Sequence, residues 1–171
     1  MATTGRKIPM AVIGKMSQEQ FVAVLGGIFE HAPWVAERAW ESRPFRTRAV
    51  LHERMLDAVR QASPEQQLSL LRGHPDLATR LQVTDYSAQE QRSAGLDQLS
   101  ENEYSAFMAG NQAYTDKFGF PFIMAIKGKS KEEILSAMQE RIDNDEATEK
   151  QTAFVEISKI TGFRLEQLLE A

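Results

Sequence analysis

Apolar residues recur every three or four positions through several stretches of the chain, the spacing of helices that each bury one face. Phe21, Val24, Leu25 and Ile28 follow Ser17-Gln18-Glu19-Gln20, a Ser-x-x-Gln capping box in which each side chain satisfies an orphan backbone N–H, so a helix is expected over about 17–30. His31-Ala32-Pro33 stops it, Trp34 to Trp40 makes a short helical piece, and Arg43-Pro44 marks a turn because proline lacks an N–H and fixes φ. Leu51, Met55, Ala58 and Val59 then define a helix ending near Ala62, with Ser63-Pro64 as N-cap and first residue of the next, which ends at Gly73. Ser100-Glu101-Asn102-Glu103 repeats the capping box, and Tyr104, Phe107, Met108, Asn111 and Phe118 carry a helix to Gly119. A further helix spans Lys131 to Ile142, and Asp145 caps a long final one. No stretch alternates with period two for long enough to make a strand. Ile123–Ile126 is short and β-compatible, but a lone strand has no partner, so the expected fold is all-α, a single-domain multi-helix bundle.

With 171 residues the chain suits one core. The domain is placed at 17–171, and residues 1–16 are expected to form a flexible arm, native or an added leader, because the first periodic pattern begins only at Ser17. A hydrophobic fraction of 42% and a charged fraction of 26% are ordinary for soluble globular chains. The net charge of -4, with signs interspersed, lacks the basic footprint that phosphate neutralisation needs, which argues against a nucleic-acid partner. Cysteine is absent, which excludes disulfides, thiolate catalysis and thiolate metal ligation, and leaves the cytoplasm as the default compartment. The apolar part of the N-terminal stretch, Ile8–Ile13, is too short for a signal sequence, no apolar run approaches the ~20 residues of a bilayer span, and Leu169-Glu170-Ala171 is no peroxisomal address.

Three places carry candidate chemistry. In the connector Leu71-Arg72-Gly73-His74-Pro75-Asp76-Leu77-Ala78, Gly73 suits a helix end and His74 reads either as an exposed connector residue or as an imidazole held by the following proline, useful as an acid or base near neutrality. Ser87-x-x-Glu90 reads as another capping box, yet a helix start there also offers free N–H groups to a carboxylate or carbonyl oxygen. Arg164 is the most informative on physical grounds. Ile157, Ile160, Arg164 and Leu168 share one helical stripe, so the guanidinium either faces the core and meets a carboxylate, ligand or cleft, or snorkels past Leu165 or Leu168. His31 and His52 belong to no metal-ligand motif, and neither HExxH, a nucleophile elbow, a phosphate loop nor a dinucleotide fingerprint is present. No metal or cofactor is therefore expected: the choice is cofactor-free chemistry or none.

Three motifs together, Gly73-His74-Pro75-Asp76-Leu77-Ala78, then Ser87-x-x-Glu90-Gln91-x-x-Ala94-Gly95-Leu96, then Lys117-Phe118-Gly119-Phe120-Pro121-Phe122-Ile123, resemble the 2-oxo-4-hydroxy-4-carboxy-5-ureidoimidazoline (OHCU) decarboxylase family, with Phe163-Arg164-Leu165 downstream. The resemblance runs from about Phe21 to Leu169. It implies an all-helical homodimer that converts the substrate to (S)-allantoin in urate breakdown without a cofactor. It also implies His74 and Glu90 as the acid/base pair and Arg164 as an arginine needed for activity. Pro75, Ser87 and Gln91 match substrate-contacting positions, and Phe122, Ile123, Met124, Ala125 and Ile126 match a segment that lines the pocket and offers backbone hydrogen bonds. The loop between Ala78 and Ser87 is shorter than in animal members, and Gly162 lies beside the Arg164 turn. Two readings from other classes stand beside it: a non-catalytic helical interaction module, and a ureide hydrolase or isomerase of the same pathway.

Overall fold

The structure, a computed structural model, describes residues 5–78 and 85–171. Most of the loop between Ala78 and Ser87 lies outside the described residues. Among those described the regular elements are all helical: α1 (Met10–Ile13), α2 (Gln18–Leu25), α3 (Trp34–Trp40), α4 (Arg48–Arg60), α5 (Pro64–Arg72), α6 (Asp85–Ser93), α7 (Glu101–Phe118), α8 (Lys131–Arg141) and α9 (Glu146–Leu168). The all-α, single-domain class expected from the hydrophobic pattern holds. Extended pairing is confined, among these residues, to one isolated bridge between Ile8 and Leu169.

Within the chain two compact units are distinguishable, the first made of Met1–Leu70 and Ser158–Ala171. Here the capping box forms as its spacing requires: Ser17 Oγ accepts from the Gln20 N–H at 3.2 Å, and Gln20 Oε1 accepts from the Ser17 N–H at 3.0 Å. Helix α2 stops at Leu25, short of the expected boundary, where Gly26-Gly27 removes helix propensity. Helix α3 packs against α2 and α4. That packing buries Phe21, Leu25, Val35, Leu51 and Met55, with Phe21 stacked on Phe45 at 5.7 Å between centroids. Residues 8–16 make contacts not expected of a loose arm. The Ile8 N–H donates to Leu168 O and the Glu170 N–H to Ile8 O, each at 2.9 Å, and Met10 and Ile13 are buried. Burying two such side chains is worth about 1.5–3 kcal/mol each, enough to hold a short segment down.

The second unit is Leu71–Ile157. Helix α7 starts at the capping box of Ser100 and Glu103 and ends at Gly119, whose φ of 78° is the left-handed cap that glycine adopts without a Cβ penalty. It packs against α8, and the two approach so closely at Gly110 that a Cβ there would collide with Met138 Sδ. Tyr114, at the heart of this core, meets Phe118 at 4.6 Å and Phe122 edge-on at 5.4 Å. Beyond Gly119 the chain runs without regular structure through Phe120–Ile126, almost wholly buried. Asp145 caps α9 by accepting from the Thr148 N–H at 2.7 Å.

Candidate active site

Most of the candidate residues fall in the second unit, on two irregular segments and one helix. The first segment is the connector after α5. The His74 N–H closes the helix end by donating to Leu71 O at 3.3 Å, and the side chain is 8% exposed, which removes the reading of His74 as a solvent-facing connector residue. Four residues later Ala78 sits at φ 61°, left-handed backbone that a residue with a Cβ adopts only when its surroundings impose it. The surroundings are amides. Gln91 Oε1 accepts from the Ala78 N–H at 3.0 Å, Gln91 Nε2 donates to Asp76 O at 3.4 Å, and Asn111 Nδ2 donates to Leu77 O at 2.8 Å.

Gln91 belongs to α6, where Ser87, Glu90 and Gln91 stand at i, i+3 and i+4 and so share one face. Ser87 and Gln91 are buried and Glu90 is half-buried. The capping-box reading of Ser87 does not survive: helix α6 already begins at Asp85, so Ser87 lies inside the first turn, where it is buried. Through Gln91 the structure brings this face against the connector that carries His74 and Pro75.

The second segment holds Phe122, Ile123, Met124, Ala125 and Ile126, of which all but Met124 are buried. Its backbone is fixed by charged side chains. Arg141 Nη1 donates to Ile123 O at 2.7 Å, and Glu156 Oε1 accepts from the Ala125 N–H at 3.3 Å. Arg141 in turn is locked to Glu149, Nε to Oε1 at 2.8 Å. The fully buried Glu149 also accepts from Tyr114 Oη at 2.6 Å and Asn144 Nδ2 at 2.9 Å. Burial and the Glu149 carboxylate push the Tyr114 hydroxyl well above the usual phenol range, so it stays a donor.

Arg164 belongs to the first unit and faces its core at 2% exposure. Of the openings that its place in the apolar stripe left, a protein carboxylate is the one filled: Arg164 Nη2 meets Glu30 Oε1 at 2.6 Å, and Nη1 donates to Ile28 O at 3.0 Å. Helix α9 runs unbroken through Gly162, where a Cβ would stand 3.3 Å from His52 Cε1, so that glycine makes room for the imidazole. Among the described residues no group of histidines and carboxylates is disposed to hold a metal ion. No helix there is long and apolar enough to cross a membrane.

Sequence reasoning missed Glu30, Asn111, Arg141, Glu149 and Glu156. A signal existed for three of them. Glu149, Ala153, Glu156, Ile157 and Ile160 continue the Arg164 stripe toward the start of α9, and Asn111 sits among the aromatic positions of α7. A polar residue on an apolar stripe is the same anomaly that singled out Arg164.

The family model described as OHCU decarboxylase matches residues 14–166. The chain is 46% identical over 156 residues to the 2-oxo-4-hydroxy-4-carboxy-5-ureidoimidazoline decarboxylase of Halalkalicoccus jeotgali, covering 91% of this chain and 89% of that one. It is 44% identical over 156 residues to the uric acid degradation bifunctional protein of Bacillus sp. (strain TB-90), again 91% of this chain but 31% of that protein, so it spans about a third of the bifunctional relative. Among solved structures it resembles a crystal structure of (S)-allantoin synthase, with a TM-score of 0.77 and 28% identity, covering 94% of this chain and 54% of that one.

Proposed function

The chain belongs to the OHCU decarboxylase family, and from that premise we propose that it decarboxylates 2-oxo-4-hydroxy-4-carboxy-5-ureidoimidazoline to (S)-allantoin. The observation that carries the proposal is the match over residues 14–166, which takes in the connector of His74, the Ser87–Gln91 face and Arg164 in one alignment.

The chemistry asks for no electron sink beyond the substrate. When the C4–carboxylate bond breaks and CO₂ leaves, its electron pair forms a C4=C5 double bond while the former C=N pair moves to the ring nitrogen, which takes up a proton. The resulting enol then gives its hydroxyl proton to a base and receives a proton at C5, leaving C4 as a carbonyl. In this reading His74 contacts the C4 hydroxyl and moves its proton, Glu90 fixes the imidazole's tautomer or orientation, and protonation on one face of C5 yields one enantiomer. Pro75, Ser87, Gln91 and the Phe122–Ile126 backbone are the surfaces proposed to hold the ring. Arg164 is proposed to orient the ring or to balance Glu90. A tight clamp on the departing carboxylate would stabilise the ground state more than the transition state, and the guanidinium already serves Glu30 and Ile28. The active form is proposed to be a cytoplasmic homodimer, which sedimentation of the purified chain would test.

The deciding experiment generates the substrate in situ from urate with the enzymes of the two preceding steps and follows the circular dichroism of allantoin. The expected result is rapid (S)-allantoin with CO₂ release, abolished in His74→Ala and Glu90→Ala proteins that remain helical. Slow racemic product in the presence of folded protein would overturn the proposal, and an optically active product without CO₂ would favour a hydrolase or isomerase.

A further inference from the structure

Asn111 is 4% exposed at the middle of α7, on a stripe otherwise made of Phe107, Tyr114 and Phe118. A buried amide in an aromatic core is costly unless satisfied, and this one is half satisfied: Nδ2 donates to Leu77 O at 2.8 Å, while Oδ1 is buried without a hydrogen-bond partner among the described residues. Its orientation is not interchangeable, because a carbonyl cannot donate, so the amide nitrogen must face Leu77. For stability alone an apolar residue of similar volume would avoid the orphaned oxygen, and an amide retained against that cost points to a task other than packing.

The task lies in what Leu77 O belongs to. Asp76 O, Leu77 O and the Ala78 N–H are consecutive backbone groups, and side-chain amides hold all three, two through Gln91 and one through Asn111. They pin the left-handed turn at Ala78 from α6 and α7, while the bond from the His74 N–H to Leu71 O restrains the N-terminal side of His74 and Pro75 restricts the backbone of His74 itself. Of the three contacts the one from Gln91 to Asp76 O, 3.4 Å, is the longest and the one from Asn111 to Leu77 O, 2.8 Å, the shortest.

We propose that Asn111 is a positioning residue: it clamps the Leu77 carbonyl so that the His74–Ala78 connector, and with it the His74 imidazole, is held in the geometry the decarboxylation uses. This deepens the functional proposal and rests on it. The contact is neutral, so it fixes the backbone without placing a formal charge beside the imidazole.

Asn111→Leu and, to relieve crowding, Asn111→Ala are compared with wild type and with Gln112→Ala, an exposed neighbour on α7, in steady-state kinetics, thermal melts and histidine-selective NMR. The chain has only three histidines, so His31 and His52 serve as internal references. In the folded variants kcat is expected to fall about tenfold or more with KM changed less than about threefold, the signature of lost alignment rather than lost binding. The His74 ring resonances should move while those of His31 and His52 stay. Folded variants with wild-type kcat and unmoved His74 resonances, whatever their melting temperature, would overturn the assignment. If the wild-type protein itself makes no (S)-allantoin, the functional proposal fails, and the NMR comparison still decides whether Asn111 positions His74.

Discussion

Two irregular segments of the second unit carry candidate site residues, and they are held in opposite ways. The connector Asp76–Ala78 is pinned by neutral amides from Gln91 and Asn111, whereas Ile123–Ala125 is pinned by the charged groups of Arg141 and Glu156. A charged anchor gives a stronger hydrogen bond, but only if its own charge is satisfied, and for Arg141 that takes a partly buried cluster with Glu149, Tyr114 and Asn144. A neutral anchor is weaker and needs no counter-charge. The Phe122–Ile126 segment is held by charged side chains, and the turn that follows His74 is held by neutral ones.

The most damaging way to break this contrast is to remove one member of the charged frame. Glu149→Leu leaves the Arg141 guanidinium, 13% exposed at its side chain, without its carboxylate, and should cost about 3–5 kcal/mol, or roughly 6–20 °C in Tm for a chain of this size. Arg141→Met combined with Glu149→Leu should recover part of that loss in the same melts, because no lone charge remains. A double variant less stable than Glu149→Leu would show that the pair contributes beyond mutual neutralisation. Next in size is Gln91→Leu, which strips the acceptor from the Ala78 N–H at a turn with left-handed non-glycine backbone. It should cost about 1–3 kcal/mol by urea denaturation. Its kcat should fall much further than that of a variant matched for stability but altered only at the surface. Equal losses would put the two segments on the same footing.

Much of this architecture was legible in the sequence because it rests on local rules. The boxes at Ser17 and Ser100, the proline after Ser63 and the cap at Asp145 each act within three or four residues, and each forms where its spacing put it. The Ser87 box shows the limit: the same spelling, inside a helix that starts two residues earlier, serves burial instead. Arg164 could be placed on an apolar stripe from periodicity, but whether it faced the core or snorkelled, and which partner it met, could not, since Glu30 is 134 residues away in sequence. Asn111 and Gln91 bind backbone groups of a connector, and backbone carries no letter in a sequence that would announce which side chain it needs.

A smaller change sharpens the comparison at the other segment. Glu156→Gln keeps an oxygen that accepts from the Ala125 N–H but removes the charge, converting one charged anchor to the neutral kind. The expected loss is about 1 kcal/mol or less, with Glu156→Leu costing about 1–3 because the N–H then stays buried and unmet. If Glu156→Gln were as damaging as Glu156→Leu, the charge itself would be what the segment requires.

The mildest test uses an anchor in the first unit whose charge can be switched without mutation. His52 Nε2 stands 2.9 Å from Thr161 Oγ1, and that hydroxyl donates onward to Ser158 O at 3.2 Å, so the ring nitrogen is the donor and the neutral Nε2–H tautomer is in place. Partial burial holds the His52 pKa below its ordinary value, with Glu53 pulling it up and Arg60 pushing it further down. The folded state therefore disfavours the cation, and the unfolded chain takes up the proton first as the pH drops. Stability from this group is complete above the unfolded value of about 6.5 and is lost as pH falls through the lower folded value. The hydrogen bond to Thr161 survives protonation, since Nε2 donates in both states, so the loss comes chiefly from desolvation, with the smaller and opposed effects of Glu53 and Arg60, and should be smaller than that of any substitution above. Melts of wild type and His52→Gln between about pH 7.5 and 5.5 should differ in slope, with wild type falling more steeply toward acid. Parallel slopes would mean that the first unit tolerates a charged anchor at His52 as readily as the second tolerates one at Arg141.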